Sequence, residues 1–538
     1  MAVRTQPLAS IIDRLAALLK SLVLRINPCL MTEEGGSIVA MACMENNRVQ
    51  SMHPPPANPL HELWLTVAAA HADEMAVLNL ADGREWTFAG LRALAEQAPP
   101  SPPVLHTTAR GLNLLIDVLR TWRDGAVLVP DDGSGTAAPP RDTFGRDICH
   151  LKVTSGTTGR PRHVMFRPEQ LAADAVQIVT TMGLRKDWPN LGVLSMAHSY
   201  GFSNLVLPLL LHAVPLWLLD NPLPETLRLA MRAGQPLTLP AVPAMWQAWE
   251  RVGLDFTPVR LAISAGAPLP IALESAVYAR SSLKIHNFYG SSECGGIAYD
   301  RTEEPRQQAT LAGTPMDRVS VTIDTASGCL RVTSAAVAAG YWNADPSSII
   351  TIRKTKRQTG GESDTGFPAC EPAQTQAGKP VSHSNASRDR NDWGAASSGV
   401  ADGPGHGTWL SQDLARIDDE CCVHVLGRAS DFISVAGHKI SPVVIEEILH
   451  ALPGVSRCVV FGVPSPNAIR VEDLVACVEL DPGTELNTLK AALGHLPSTY
   501  QPRHWWQCDT LAPDARGKIS RRSWRDHWLA QQTSRIPG

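Results

Sequence analysis

The sequence predicts an α/β protein with a large N-terminal domain and a small α+β C-terminal domain. At 538 residues, the chain is longer than a single hydrophobic core usually organises. Short apolar runs bounded by turn residues alternate with helical patterns, as in proteins built on layered sheets. A polar stretch at residues 351–407 is followed by a new, compact pattern of helices and strands, which indicates a second domain.

Hydrophobic spacing places the elements along the chain. Apolar side chains that recur every three or four positions predict helices at residues 61–72 and 88–96. Continuous apolar runs predict buried strands at residues 76–79, 148–153, 259–264 and 283–288. In the C-terminal domain, helices are predicted at residues 442–452 and 486–496, and strands at residues 456–463 and 474–480.

Composition divides the chain into four parts. Residues 1–58 carry a basic amphipathic pattern, which predicts a packed or frayed extension, with membrane docking or targeting as the alternative. The large domain spans residues 59–426, and the small domain spans residues 427–538. The insertion at 351–407 is too polar to offset the entropy of ordering, so it is predicted to be disordered. No apolar run is long enough to predict a transmembrane segment.

The charge balance favours small-molecule chemistry. With 48 basic and 52 acidic side chains, the formal net charge is -4, so the sequence lacks the positive field of a nucleic-acid-binding protein. The 11 cysteines include no CxxC pair, and neither a zinc site nor a disulfide framework has the spacing it needs. We therefore predict a cytoplasmic protein with no nucleic-acid partner.

A loop rich in glycine and hydroxyl groups follows the strand predicted at residues 148–153. Residues 154–162 read Thr-Ser-Gly-Thr-Thr-Gly-Arg-Pro-Arg. Glycines let backbone N–H groups approach phosphate oxygens, and hydroxyl side chains donate further hydrogen bonds. A Walker loop is disfavoured, because no Gly-Lys-Ser/Thr triplet follows. Arg162 supplies positive charge, and the candidate phosphate-binding residues are Thr154, Ser155, Gly156, Thr157, Thr158 and Gly159.

Further strings follow in the chain. They read Ser-Ala-Gly-Ala-Pro-Leu at 264–269, Asn-Phe-Tyr-Gly-Ser-Ser-Glu at 287–293, Ser-Gln-Asp at 411–413, a Gly- and Ser-containing segment at 427–442, and Gly-Lys-Ile-Ser-Arg at 517–521. Together with the loop, their order and spacing resemble the adenylate-forming superfamily, to which acyl-CoA synthetases belong. This resemblance covers residues 60–528 apart from the insertion. It implies a multi-layered large domain of α/β sheets plus a distorted β-barrel, and a mobile C-terminal domain.

The resemblance implies which residues bind ATP. Asp413 would accept both ribose hydroxyls, and Arg428 would contact the ribose. Tyr289 would stack on the adenine base. The residues implied to line the adenine base are Gly266, Ala267 and Pro268. Tyr289 and Gly290 belong to the motif at 287–293, which is also implied to bind the nucleotide.

The resemblance also implies the catalytic groups. Ser292 would donate a hydrogen bond to the α-phosphate, and Glu293 would ligate Mg²⁺ through a hard oxygen. Lys518 would bridge the substrate carboxylate and the α-phosphate, while Arg162 neutralises charge. Ser430, two positions after Arg428, occupies the position about which the small domain of related enzymes swings.

Some residues depart from the pattern of the superfamily. Arg162 replaces the usual lysine, Ser-Gln precedes Asp413 instead of Thr-Gly, and Ser430 replaces an aspartate or lysine. These departures, with a shortened stretch before the phosphate loop, leave open a nucleotide-binding scaffold without ligase activity. Retention of Lys518 and Glu293 favours an enzyme.

The segment at residues 196–202 resembles the acid-binding segment of fatty and aryl acid ligases. His198 is the candidate gate, and the alternative is a satisfied core histidine. No aspartate occurs there to hold an amino group, so a fatty or aryl acid is favoured over an amino acid. The predicted function is ATP-dependent formation of an acyl-adenylate, with Mg²⁺, and transfer of the acyl group to coenzyme A. The phosphopantetheine of a carrier protein is the alternative acceptor.

Overall fold

The computed structural model describes residues 58–132, 139–154, 162–219, 221–232, 234–342, 406–436, 438–467, 470–512 and 519–534. These residues belong to one compact unit. The predictions for residues 1–57 and for the insertion up to residue 405 lie outside the described residues.

The largest sheet of the described residues has thirteen strands. In order across the sheet they are β14 (Ser320–Ile323), β15 (Cys329–Ser334), β17 (Gly407–Ile417), β18 (Val423–Arg428), β13 (Leu311–Pro315), β12 (Gly295–Tyr299), β11 (Ile285–Ser291), β10 (Val259–Ser264), β9 (Leu237–Ala241), β7 (Asn190–Gly192), β8 (Leu216–Leu218), β1 (Met75–Asn79) and β2 (Arg84–Thr87). The pairing changes at β11, which runs parallel to β10 and antiparallel to β12.

A second sheet carries the flanks of the predicted phosphate loop. Its strands, in order, are β16 (Gly340–Trp342), β6 (Arg162–Phe166), β5 (His150–Thr154), β4 (Val127–Pro130) and β3 (Val104–Thr107). Because β5 and β6 are antiparallel neighbours, the loop is the connection between them, and Thr154 lies directly opposite Arg162.

Helices cover the sheets of the large domain. They are α1 (Pro59–Ala70), α2 (Phe88–Gln97), α3 (Gly111–Asp124), α4 (Pro168–Met182), α5 (Ser199–Gly201), α6 (Leu207–His212), α7 (Pro224–Met231), α8 (Pro243–Arg251) and α9 (Ile271–Ser281), with a 3₁₀ turn at Arg141–Thr143 and a π-helical turn at Phe202–Val206. The first helix begins at Pro59 and is capped by Asn58, whose side chain accepts a hydrogen bond from the Leu60 N–H at 3.0 Å. Trp64, Trp122 and Trp246 are fully buried between helices and sheet.

The C-terminal region has a core of its own. Its elements are the hairpin β19 (Ile433–Val435) and β20 (His438–Ile440), α10 (Pro442–His450), β21 (Val455–Pro464), β22 (Glu472–Leu480), α11 (Leu486–Ala492), β23 (His504–Gln507) and α12 (Arg521–Ser534), with 3₁₀ turns at Ala429–Asp431 and Leu493–His495. Ile445, Val460 and Leu474 pack together in this core. The helix predicted at 486–496 tightens into a 3₁₀ turn before Pro497, because proline cannot continue a helix.

The predicted fold class is confirmed, with several sheets in the large domain and a small α+β domain after it. The strand predicted at 259–264 is β10. The strand predicted at 283–288 is β11. It continues to Ser291, because antiparallel pairing with β12 holds Gly290 and Ser291 in the strand although neither side chain is hydrophobic. Among the described residues, no helix combines the length and the apolar character needed to cross a bilayer.

The small domain docks on the large domain through polar contacts. From α8, the Gln247 side chain donates to the Ser456 carbonyl at 3.0 Å, and Arg251 donates to the Ser456 hydroxyl at 2.5 Å. A neighbouring groove of about 280 Å³ lies between the start of α9 and α10, and Glu447 lines it. Burial raises the pKa of Glu447 to about 7, and the positive charge of Arg306 opposes this rise.

Replacing Gly313 with alanine should destabilise the protein more than the same change at Gly83. At Gly83, φ is +70° and the space is open, so we expect a loss of about 1–2 kcal/mol from left-handed strain. At Gly313, φ is +109° and a Cβ would lie 2.2 Å from the Tyr299 carbonyl. Overpacking adds about 1–3 kcal/mol there. Urea unfolding measures both variants, and equal losses would contradict this account of β13.

Replacing Glu447 with glutamine should flatten the dependence of stability on pH. Because the pKa of this carboxyl is raised in the folded protein, the folded form retains a proton that the unfolded chain releases. Stability is therefore lost as pH rises from about 4.5 through 7, by roughly 1 kcal/mol after allowance for solvent screening. Unfolding at pH 5 to 8 compares the variant with Glu485→Gln, an exposed control. Parallel curves for Glu447→Gln and wild type would refute the assignment.

Candidate functional site

Asp413 is in direct contact with both Tyr289 and Arg428. The Tyr289 hydroxyl donates to Asp413 Oδ2 at 2.6 Å, and Arg428 Nε lies 3.1 Å from Asp413 Oδ1. Asp413 and Arg428 face each other across the β17–β18 pair, so backbone pairing sets their contact. Burial, reinforced by the Asp413 carboxylate, raises the pKa of Tyr289 well above its usual value. The phenol therefore remains a hydrogen-bond donor.

Glu293 contacts β16, the strand that pairs with β6 after the predicted phosphate loop. Its Oε1 accepts a hydrogen bond from the Tyr341 hydroxyl at 2.9 Å, and its carbonyl accepts one from the Ala338 N–H at 2.8 Å. The Arg162 guanidinium lies 5.9 Å from the centroid of the Tyr341 ring. Tyr341 thus lies between Glu293 and Arg162, which belong to different sequence motifs.

Ser292 contacts the predicted acid-binding segment. The Ser199 hydroxyl donates to the Ser292 hydroxyl at 2.8 Å. The adjacent His198 ring is 27% exposed, so it is no core histidine, and its Nε2 lies 2.6 Å from Asp132 Oδ2. Residues 196–202 themselves contain no aspartate, but Asp132 lies beside His198. Asp132 follows β4 of the second sheet, so a residue far away in sequence meets His198.

The predicted adenine-lining residues follow β10. Ser264 of β10 pairs with Asn287 of β11, so residues 266–268 leave the sheet beside the strand that carries Tyr289. Gly266 has φ +87°, a conformation that favours glycine. The string thus turns out of the sheet at its carboxyl edge, where ligands of open α/β sheets bind.

A buried network that the sequence reading missed supports the turn containing Glu293. Lys152 Nζ lies 3.3 Å from Ser203 Oγ and 3.7 Å from Asp174 Oδ2. Asp174 Oδ1 accepts from the Gly296 N–H at 3.3 Å, and a Cβ on Gly295 would collide with that carboxylate. Burial lowers the pKa of Lys152, and Asp174 opposes this. The sequence signal that could have revealed this network is Lys152, a charged residue inside the apolar run of β5.

In sequence, the predicted hinge residue Ser430 lies at the start of the small domain, and the predicted catalytic residue Lys518 lies towards its end. Ser430 lies in the 3₁₀ turn Ala429–Asp431, and its hydroxyl donates to Asp431 Oδ1 at 3.0 Å. Arg521 binds both Asp431 Oδ2, at 3.3 Å, and Glu446. The positions outside the described residues are Ser155, Gly156, Thr157, Thr158, Gly159 and Lys518.

The residues around Glu293 suit Mg²⁺ held together with a polyphosphate. Mg²⁺ in such sites takes one or two carboxylates and fills its remaining positions with phosphate and water oxygens. Glu293 offers one carboxylate beside the flank of the loop. Within the described part of the chain, no three His, Cys, Asp or Glu side chains gather into a site that would hold a metal by protein ligands alone.

Comparison with known proteins decides the family. The model of the AMP-binding enzyme family matches residues 89–342, and that of the AMP-binding enzyme C-terminal domain matches residues 444–518. The two regions account for more than half of the chain. The chain belongs to the AMP-binding enzyme family. Its predicted membership of the adenylate-forming superfamily is thereby confirmed.

Relatives of this AMP-binding enzyme include coenzyme A ligases. Feruloyl-CoA synthase from Amycolatopsis sp. is 26% identical over 337 residues, which cover 60% of this chain and only 57% of that protein. Long-chain-fatty-acid–CoA ligase FadD13 from Mycobacterium tuberculosis is 22% identical over 450 residues, covering 81% of this chain and 76% of the ligase. The fold matches ATP-bound MatB from Rhodopseudomonas palustris with a TM-score of 0.68 at 19% identity, covering 87% and 99% of the two chains.

Replacing Asp413 with asparagine should weaken AMP binding. The change removes the charge that Arg428 faces and that Tyr289 holds in place. A charge-assisted hydrogen bond contributes about 1.5–3 kcal/mol, so the Kd should rise roughly ten- to hundredfold. Calorimetric titration with AMP measures the change. Asp324→Asn, in the exposed β14–β15 turn, is the control. Similar affinities in both variants would remove Asp413 from the site.

Proposed function

We propose that this AMP-binding enzyme activates a carboxylic acid with ATP as an acyl-adenylate, releases pyrophosphate, and passes the acyl group to coenzyme A. The observation that supports this most is the convergence of polar groups on residues 289–293. Tyr289 contacts Asp413, Ser292 contacts Ser199, and Glu293 contacts Tyr341. Residues 289–293 therefore contact the residue proposed to bind the ribose, a residue of the proposed acid-binding segment and a residue near the phosphate loop.

Nucleotide binding would use Tyr289 and residues 266–268 as the two walls of an adenine pocket. The base would lie between Tyr289 and residues 266–268, and the ribose hydroxyls would donate to Asp413. The backbone N–H groups and hydroxyls of residues 154–159 would hold the β- and γ-phosphates. Arg162 replaces the lysine usual in this family, so it would reach these phosphates with a planar fork instead of a point charge.

The chemistry is attack of a carboxylate oxygen on the α-phosphate. The new oxygen–phosphorus bond forms as the bond to pyrophosphate breaks, which leaves a mixed anhydride. Ser292 and Lys518 would stabilise the charge that develops on the α-phosphate, and Ser199 would orient Ser292. A bound Mg²⁺, held by Glu293, would supply further neutralisation of the phosphate oxygens. After the small domain turned about Ser430, the thiol of coenzyme A would lose its proton and attack the acyl carbon, and the bond to AMP would break, leaving a thioester and free AMP.

A fatty or aryl acid is the proposed substrate class. The feruloyl-CoA and long-chain-fatty-acid–CoA ligases among the relatives support it. Asp132 is already paired with His198, which leaves no unpaired carboxylate in this pair for an amino group. We place the reaction in the cytoplasm on the basis of cysteine spacing. Seven described cysteines are free thiols, whereas Cys421, which is disulfide-bonded, stands against that location.

Pyrophosphate release from ATP tests the function. The purified protein is offered a panel of fatty, aryl and amino acids with Mg²⁺, and then coenzyme A or a carrier protein as acceptor. Release with a fatty or aryl acid, followed by thioester formation with coenzyme A, is the expected result. Transfer to the carrier protein alone would select the alternative acceptor. ATP binding without release for any acid would favour the non-catalytic scaffold.

Replacing Lys518 with alanine should slow pyrophosphate release about 100- to 1000-fold, because one charge that stabilises the transition state is lost. ATP affinity should change little, since that contact forms mainly during the reaction. The matched control is Lys490→Ala on the exposed face of α11. An unchanged rate in the Lys518 variant would contradict the assignment of this lysine.

A further inference from the structure

Four buried charged residues form a network behind the proposed adenine pocket. Glu274, Lys284, Asp300 and Arg306 are each at most 6% exposed. Glu274, on α9, binds both cations: its Oε1 accepts from Lys284 Nζ, and its Oε2 accepts from Arg306 Nε at 2.9 Å. Lys284 Nζ also donates to Asp300 Oδ2 at 2.7 Å. The two positive and two negative charges balance.

Arg306 ties this network to one wall of the pocket. Its Nη2 donates to the Leu269 carbonyl at 2.7 Å, directly after the adenine-lining residue Pro268. Its Nη1 donates to the Leu311 carbonyl at 2.8 Å, and the same carbonyl accepts from the Asn287 side chain at 3.2 Å. One planar guanidinium therefore joins the adenine segment to β13 and, through the shared Leu311 carbonyl, to Asn287 on β11, the strand that carries Tyr289.

Lys284 and Asp300 tie the network to the opposite wall. Lys284 immediately precedes β11, and Asp300 immediately follows β12. The Asp300 N–H donates to the Asn287 carbonyl at 2.9 Å, and His286 Nδ1 donates to the Asp300 carbonyl at 2.9 Å. These contacts hold β11 two and three residues before Tyr289.

The cost of burial argues for a role beyond stability. Removing four charges from water is expensive, and well-packed apolar side chains in their place often give equal or greater stability. What a charged network adds is fixed distances and directions between the groups it joins. Here those groups are the two walls between which the base would lie.

We propose that Glu274, Lys284, Asp300 and Arg306 are positioning residues that set the spacing between residues 266–268 and Tyr289, and thereby the affinity for the purine base. This inference rests on the proposed function. None of the four residues touches the nucleotide in this account. They act through Leu269, Leu311 and β11.

The sharpest variant is Arg306→Lys. Lysine keeps the positive charge beside Glu274 but lacks the fork that binds the Leu269 and Leu311 carbonyls. We expect the Kd for ATP to rise about 10- to 100-fold, as for other residues that position a binding group. The KM for the acid and kcat at saturating ATP should change little. Asp300→Asn, which removes only one outer charge, should raise the Kd for ATP in the same direction.

Arg301→Lys is the matched control. Arg301 also donates to two backbone carbonyls, those of Thr314 and Pro315, and binds the Asp317 carboxylate, but on the exposed side of β13. The same substitution there should alter the Kd for ATP less than about twofold.

Calorimetric titration with ATP, in the absence of acid, separates the possible results. Suppose that wild type binds ATP and that Arg306→Lys and Asp300→Asn, compared per folded molecule, bind it equally tightly. The network then serves stability only, and the inference is overturned. A lower Tm with unchanged Kd leads to the same conclusion. If wild type fails to bind ATP, the proposed function fails first. Weak binding in both variants, with normal binding in Arg301→Lys, supports the inference.

Discussion

The site depends on how β11 is paired on its two sides. Its parallel partner β10 ends opposite Asn287, and β11 continues beyond that point to Ser291, so the residues that follow β10 leave the sheet beside the part of β11 that carries Tyr289. Its antiparallel partner β12 forces the chain to reverse directly after Ser291. That reversal is what presents Glu293 to Tyr341 of the second sheet and Ser292 to Ser199. A slip of one residue in this register would turn each of these side chains to the other face.

Two carboxylates near this reversal are each held by a tyrosine hydroxyl. Tyr289 holds Asp413, and Tyr341 holds Glu293. A phenol fixes the direction of a carboxylate without neutralising it, because burial keeps both phenols protonated. The negative charge of Glu293 therefore remains available to a cation. Arg428 partly balances that of Asp413 from an exposed position, where solvent weakens the pair.

The sequence predicted the parts of this arrangement that local patterns encode. A continuous apolar run marked β10, and the strings around Tyr289, Glu293 and Asp413 gave residues that do lie around one turn. The sequence could not predict contacts between segments that are distant along the chain. Asp132 meets His198, and Lys152 meets Asp174, only because two sheets and a helix pack together. Strand ends were also misjudged where polar residues such as Ser291 continue a strand, since pairing and not hydrophobicity holds them.

The attachment of the small domain at Ser456 has a kinetic consequence. Gln247 and Arg251 both direct their donors to this one residue, and water can replace each of these polar bonds at small net cost. An interface closed by such bonds separates without uncovering a large apolar surface. If the small domain turns about Ser430 as proposed, these bonds would break and re-form across a low barrier, so neither arrangement would trap the protein.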